Sequence, residues 1–313
     1  MKRRRFLHLF ALTALTSVGL GCAQAQQAKS APQSTLRVFH IGNSITDTIR
    51  YDALKKMAES RGHKHIYGRH MIPGAPLEWI WEHADSGFKT DEFGYYPNAL
   101  PNFAWDAITL QPFDRHLEGD VKYARQYIDL ARQKAENAQT QFYVYSRWPR
   151  RKETKKPDGT TTYELDFAAK WNRAYTGGWD GSEESKDYFE KLVTALRKEY
   201  PDMKKPVLLV PVGDVLLELD KRMKAEKFTG WTSIEALYSD GIHFNNAGSF
   251  VVGTTFYATL YKQSPQGLNF DSYNAVRGGA DKTITPAFAQ AVQEVVWDVV
   301  SKHPFAGVAA PKL

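Results

Sequence analysis

The chain has 313 residues, 41 of them basic and 35 acidic, with 42% hydrophobic and 13% aromatic content. This excludes a chain too polar to fold and predicts one globular domain that buries about three quarters of its unfolded surface. The formal charge of +6 is poor evidence for a nucleic-acid partner, because most of it sits in the first few residues.

Residues 1–25 read as an export signal. Lys2-Arg3-Arg4-Arg5 is a basic start, and the stretch from Phe6 to Leu20 is largely apolar. Ala23-Gln24-Ala25 fits a small-x-small cleavage site. The apolar core is too short to span a bilayer. Arg3-Arg4-Arg5-Phe6-Leu7 is similar to a twin-arginine signal. Cleavage after Ala25 would remove four of the 41 basic residues and none of the 35 acidic ones, leaving a net charge of about +2. It would also remove Cys22, the only cysteine, so the mature chain would carry no disulfide. Lipidation of Cys22 is the weaker alternative: Leu20 lies one position too near, with Gly19 where a leucine is expected. The expected location is periplasmic or secreted, with no stable membrane insertion. Residues 26–35 are polar and read as a short disordered lead-in. The single domain is expected over 36–313.

The first apolar run, 36–41, stops on Gly42-Asn43 and presents Ser44 at once. Helical periodicity follows over 48–60, with Asp47 or Thr48 as its cap. A second run, 65–72, ends in Pro73-Gly74-Ala75-Pro76. A third, 107–111, ends at Gln111 and continues as Pro112-Phe113-Asp114-Arg115-His116, before a helix over 120–135. A fourth, 141–145, leads into Ser146-Arg147-Trp148-Pro149. Residues 149–183 then form a long link, read as a lid or flexible insertion. Its basic run, Arg150-Arg151-Lys152, reads first as a solvated loop and second as an anion-contacting rim. A helix over 184–200, a fifth run over 206–212 ending in Gly213-Asp214, and helices over 215–224, 246–261 and 286–301 complete the pattern. Thr285 caps the last helix, with Pro286 at its first position. Phe288, Val292, Val295, Val296 and Val299 share one face of it, so its role reads as structural.

Alternation of strand and helix predicts an α/β fold with a parallel sheet covered on both faces. Ligands bind such sheets beyond the carboxyl ends of the strands. Ser44 occupies one of those ends. Asp240 and His243, in "SDGIHF", lie three residues apart just before the 246–261 helix. A serine nucleophile needs a base, and the base needs an orienting carboxylate. Taken singly, Ser44 is a helix cap, Asp240 an Asx-turn residue and His243 a structural histidine. Taken together they read as a triad in the order Ser, Asp, His. No Gly-x-Ser-x-Gly elbow occurs, which disfavours an ordinary α/β-hydrolase.

Gly42-Asn43-Ser44-Ile45-Thr46 resembles the Gly-Asp-Ser-Leu block of the SGNH (GDSL) hydrolases, and Asp240-Gly241-Ile242-His243 resembles their closing Asp-x-x-His block. Gly74 matches the place of the family's oxyanion glycine. The resemblance covers roughly residues 36–262 and implies a flavodoxin-like three-layer α/β/α sandwich with about five parallel strands. It also implies an oxyanion hole built from the Ser44 and Gly74 N–H groups and a third-block asparagine. That asparagine is missing here. Gln111, in "TLQPFDRH", is the nearest carboxamide and is assigned to the third donor, with a glutamine that only ties down a loop as an equal alternative.

Arg115 and Arg147 read either as ion-pair partners or as contacts to an acidic sugar or carboxylate. Trp148 reads as a sugar-stacking surface, and Trp79 and Trp81 as core. His63, His65 and His70 read as edge and loop residues, so no metal or other cofactor is expected. The implied function is an exported serine esterase acting on a small-molecule or polysaccharide ester, by preference a carbohydrate ester. A lipase or thioesterase, or a non-catalytic carbohydrate-binding protein on the same fold, are the alternatives. Oligomeric state is not legible in the sequence.

Overall fold

The computed structural model describes residues 34–226, 228, 230–276 and 281–308, all within one unit spanning Ala31–Leu313. The expected export signal, Cys22, most of the lead-in and the Gly278-Gly279 break lie outside the described residues. Thr35, placed in the lead-in from sequence, already belongs to the first strand.

In chain order the elements are β1 (Thr35–Gly42), α1 (Ser44–Asp47), α2 (Tyr51–Glu59), β2 (Lys64–Met71), α3 (Leu77–Glu82), β3 (Phe88–Lys89), α4 (Tyr96–Asn102), β4 (Ala107–Leu110), α5 (Leu117–Arg132) and β5 (Gln141–Tyr145). They continue as β6 (Lys152–Lys155), β7 (Thr161–Glu164), α6 (Phe167–Trp171), α7 (Lys186–Glu199), β8 (Leu208–Val210), α8 (Val212–Lys224), α9 (Asn246–Tyr261), α10 (Asp271–Asn274) and α11 (Pro286–Val300). The main sheet runs β3-β2-β1-β4-β5-β8. All neighbours pair in parallel except the two-residue edge strand β3, which is antiparallel to β2. Helices α3, α4, α5 and α7 pack together as one layer, and α2, α8, α9 and α11 as the other. The result is a three-layer α/β/α sandwich. The order of its parallel strands is that of the flavodoxin-like sheet, whose switch point lies between β1 and β4.

Burial explains why the strands read as continuous apolar runs. Every residue of β4 and β5 is buried, as are the last five of β1, because helices cover both faces. Helix α9 is buried along all sixteen residues. Two of its three threonines satisfy their hydroxyls within the helix, Thr255 on Val251 O and Thr259 on Thr255 O, while the Thr254 hydroxyl is buried without a partner among the described residues.

Several expectations need correction. His63 does lie in the loop before β2, but His63, His65 and His70 are all buried rather than exposed, and His65 and His70 belong to β2, which is paired on both sides. The His65 ring bonds the Tyr261 hydroxyl at 2.8 Å, and His70 Nε2 bonds Ser86 O at 2.9 Å. α9 thus covers the β2 surface that the sequence alone leaves open. Trp79, expected in the core, is exposed and stacks on His83. Within the link over 149–183, read from sequence as a lid or insertion, lie the exposed β6–β7 hairpin and α6. Neither Asp47 nor Thr48 caps α2; its cap position is Arg50, in a left-handed backbone conformation with no side-chain cap bond. Thr285 does cap α11, accepting from the Phe288 N–H. Among the described residues no helix is long and apolar enough to cross a membrane.

Candidate active site

At the switch point β1 ends against Gln111, the residue after β4. Gly42 must be a glycine here, because a Cβ would fall 2.0 Å from the Thr46 hydroxyl and 2.7 Å from Gln111 Cβ. Asn43 turns the chain with an extended backbone, and its side-chain oxygen accepts from the Ile45 N–H at 3.0 Å. Its amide donates to Ala75 O at 3.1 Å, which ties the Ser44 turn to the loop after β2. Ser44 is therefore the first residue of α1, where a helix N–H has no intrahelical acceptor.

Gly74 lies in a tight turn closed by Ala75 N–H to Ile72 O at 3.1 Å, with Pro73 preceding and φ of +67 at Gly74. Proline then a positive-φ glycine is the chemistry such a turn demands. Among the described residues, neither the Ser44 N–H nor the Gly74 N–H has an acceptor.

His243 is brought to Ser44 across 199 residues of chain, with Asp240 beside it. Ser44 Oγ lies 2.9 Å from His243 Nε2, and His243 Nδ1 lies 2.8 Å from Asp240 Oδ2. With Nδ1–H donating to the carboxylate, Nε2 is left to accept from the serine hydroxyl. Asp240 Oδ1 also accepts the backbone N–H groups of Ile242 at 2.8 Å and His243 at 2.7 Å. Partial burial works to raise the Asp240 pKa, but these backbone donors and the His243 ring outweigh it and hold the carboxyl below its ordinary range. Asn245 closes the loop by capping α9 through the Ala247 and Gly248 N–H groups. The series borders a cleft of about 290 Å³ lined by Ser44, Asp47, Thr48, Arg50, Ser239, His243 and Phe244.

The other expected site residues sit elsewhere. The Gln111 side chain is wholly buried. Its oxygen accepts from the Asn43 N–H at 3.0 Å and the Thr46 hydroxyl at 3.2 Å, and its amide donates to Pro112 O at 2.7 Å. These are the bonds of a loop tie, and the residue does not line the cleft. Arg147 is 1% exposed and is held by Asp114 at 2.6 Å and Glu184 at 2.7 Å, with its guanidinium over the Phe113 ring. Burial pushes Glu184 up, but Arg147 and Arg150 outweigh that and hold its carboxyl low. Arg115 is paired with Glu78. Trp148 offers no face to a sugar: it is fully buried, stacked on Phe244 at 4.0 Å, and donates to Ile242 O at 2.8 Å.

Trp148 thus supports the Asp240–His243 loop from beneath. Arg151 does so from the side, donating to Asp240 O at 2.9 Å through Nε and lying over the Tyr163 and Tyr238 rings. The basic run at 150–152 gave a sign of this residue but not of its direction, since two of its three cations turn inward. Among the described residues, no group of three His, Cys, Asp or Glu is arranged to hold a metal.

The fold and these side chains define an α/β sandwich with a serine, a histidine and an aspartate hydrogen-bonded in series at its switch point. No family model matches the chain, and no curated protein matches it. Among solved structures, it is similar to a DUF4886 family protein from Bacteroides uniformis ATCC 8492, at 15% identity over 86% of this chain and 95% of that one, with a TM-score of 0.55. It is also aligned with a protein from Slackia heliotrinireducens described provisionally as an SGNH hydrolase, at 19% identity over 71% of this chain and 97% of that one, with a TM-score of 0.39. At these identities the first likeness supports the fold alone, and the second carries no weight.

Proposed function

We propose that this chain is an exported serine esterase of the SGNH type, with Ser44 as nucleophile, His243 as base and Asp240 as its orienting carboxylate. The observation that carries the reading is the hydrogen-bonded series Ser44–His243–Asp240, at 2.9 Å and 2.8 Å. His243 Nε2 takes the proton of the Ser44 hydroxyl as Oγ attacks the ester carbonyl. Asp240 stabilises the imidazolium that results. The free N–H groups of Ser44 and Gly74 are the donors available to the tetrahedral oxyanion. His243 then returns the proton to the leaving alkoxide, and water hydrolyses the acyl-enzyme by the same relay.

Gln111 enters this scheme as a positioning residue. The small cleft, polar except for Phe244, favours a short acyl group over a long lipid chain. A carbohydrate ester fits that size, and outside the cleft lining the indole of Trp179 is exposed to sugar rings, as is the face of Trp79 not stacked on His83.

An organophosphonate should label Ser44. Ser44→Ala should abolish both labelling and p-nitrophenyl acetate turnover. Equal turnover by the purified wild type and Ser44→Ala would overturn the reading.

A further inference from the structure

Arg50 differs from the other arginines around the cleft. It holds a φ of +53, a region that non-glycine residues rarely occupy and that clusters at functional sites. Its position before α2 brings no side-chain capping bond in return. Among the described residues its side chain has no hydrogen bond or ion pair, and its Nε is buried without an acceptor. By contrast, Arg69 is held by Asp47, Arg115 by Glu78, and Arg147 and Arg150 by Asp114 and Glu184. Arg50 as a whole is only half-buried, so the rest of this guanidinium, which has no protein acceptor either among the described residues, is what a ligand can meet.

Its location gives that unpartnered guanidinium a use. Arg50 lines the Ser44 cleft and also an adjoining cavity of about 410 Å³, and Asp47 is the other residue common to both. The second cavity carries three cations, Arg50, Arg69 and Lys89, and two carboxylates, Asp47 and Asp52. Asp47 is taken by Arg69, and Asp52 accepts from the Tyr67 hydroxyl. Lys89 lies over the Tyr95 ring, 5.0 Å from its centroid, and has no carboxylate partner among the described residues. The Tyr67 hydroxyl is a neutral donor, so three cations against two carboxylates leave the cavity a formal balance of +1, with Arg50 and Lys89 as its unpaired cations among the described residues.

We propose that this second cavity is a subsite for an oxyanion substituent, a carboxylate or a sulfate, on the sugar that forms the alcohol side of the ester. Arg50 binds the anion while the short acyl group lies at Ser44. A guanidinium matches either group through paired N–H donors, and Lys89 adds charge behind it. The inference rests on the esterase reading of Ser44, and it supplies that reading with a substrate class: acylated acidic sugars rather than neutral ones.

Three monoacetylated sugars test it: methyl galactoside, the matching methyl galacturonoside, and methyl galactoside 6-sulfate. Wild type should favour one of the anionic sugars over the neutral one by about tenfold or more in kcat/KM, the scale of a charge-assisted hydrogen bond. The difference should lie mainly in KM, and which anion wins separates carboxylate from sulfate. Arg50→Gln should bring the anionic-to-neutral ratio close to one, and Arg50→Lys should retain part of it. If Arg50→Gln folds poorly, Arg50→Gly removes the guanidinium while suiting the left-handed backbone. A wild-type ratio near one, or a ratio that survives loss of Arg50, overturns the subsite. No turnover of any sugar or of p-nitrophenyl acetate would instead strike the esterase reading. Calorimetric binding of the deacetylated acidic sugars to wild type and Arg50→Gln then decides the subsite on its own: wild-type binding that Arg50→Gln loses upholds it, and equal or absent binding overturns it.

Discussion

Gln111→Ala separates two uses of a buried carboxamide. In the structure the side chain serves three groups: the Asn43 N–H, the Thr46 hydroxyl and the Pro112 carbonyl. The Thr46 hydroxyl can rotate to another acceptor, but the Asn43 N–H and Pro112 C=O are fixed in the backbone. Stranding each costs about 1–3 kcal/mol, so the variant should lose about 2–6 kcal/mol of stability. That is a large share of the roughly 5–15 kcal/mol that holds a domain together. Urea unfolding followed by tryptophan fluorescence measures the loss, and p-nitrophenyl acetate turnover measures the consequence at Ser44, whose turn is left unanchored. Gln111→Glu should keep the two accepted bonds yet lose the donor to Pro112, and so should also be destabilised. The reasoning fails if Gln111→Ala keeps its stability within about 0.5 kcal/mol while turnover falls about 100-fold or more, the pattern of a lost oxyanion donor.

Asn43→Asp keeps the cap on Ile45 but sets a carboxylate against Ala75 O, which now receives a hydrogen bond. It should cost about 1–3 kcal/mol at neutral pH, and the deficit relative to wild type should shrink in acid, where a protonated carboxyl can donate again; urea titrations at two pH values check both. Arg151→Met removes the guanidinium from Asp240 O and from its place over two tyrosine rings. It should lower kcat by about tenfold or more with KM little changed, because small displacements of a catalytic pair are costly, and Arg151→Lys should recover part; steady-state kinetics and the rate of phosphonate labelling read it. Stability should also fall in mild acid. Burial pushes His65 and His70 from 6.5 down to about 4, and depresses His40 as well. The unfolded chain therefore binds these protons first, and stability is lost as pH drops from about 6.5 toward 4; each tenfold difference in proton affinity between the unfolded and folded chain is worth about 1.4 kcal/mol. Asp120 acts in the opposite sense: burial, only partly offset by Tyr188 and Arg147, raises it to about 7, so it favours the fold below that pH. Asp120→Asn should therefore steepen the acid loss, and an unchanged pH dependence would show that Asp120 is ionised in the fold.

The five parallel strands, α9, α11 and the three polar residues of the series are legible without any structure. Each of these rests on a signal contained in a few neighbouring residues. Burial on both faces writes an unbroken apolar run, a proline after Thr285 marks a helix start, and Gly42-Asn43-Ser44 and Asp240-Gly241-Ile242-His243 are short turns. The residues that sequence reasoning misplaced are those whose partners lie far along the chain. Arg147 meets Asp114 and Glu184 across 33 and 37 residues, and Trp148 meets Ile242 across 94. A cation or an indole after a strand looks the same in sequence whether it faces a substrate or the underside of a catalytic loop. Gln111 likewise sits where the resemblance implies an oxyanion donor, but β4 lies beside β1 and turns its carboxamide onto Asn43 and Thr46. These directions are set by the folded arrangement, because a long polar side chain goes where its hydrogen bonds are satisfied, and chain neighbours do not specify that place. Arg50 is the converse: its side chain finds no partner in the described fold, and that too became visible only once the chain had folded around it.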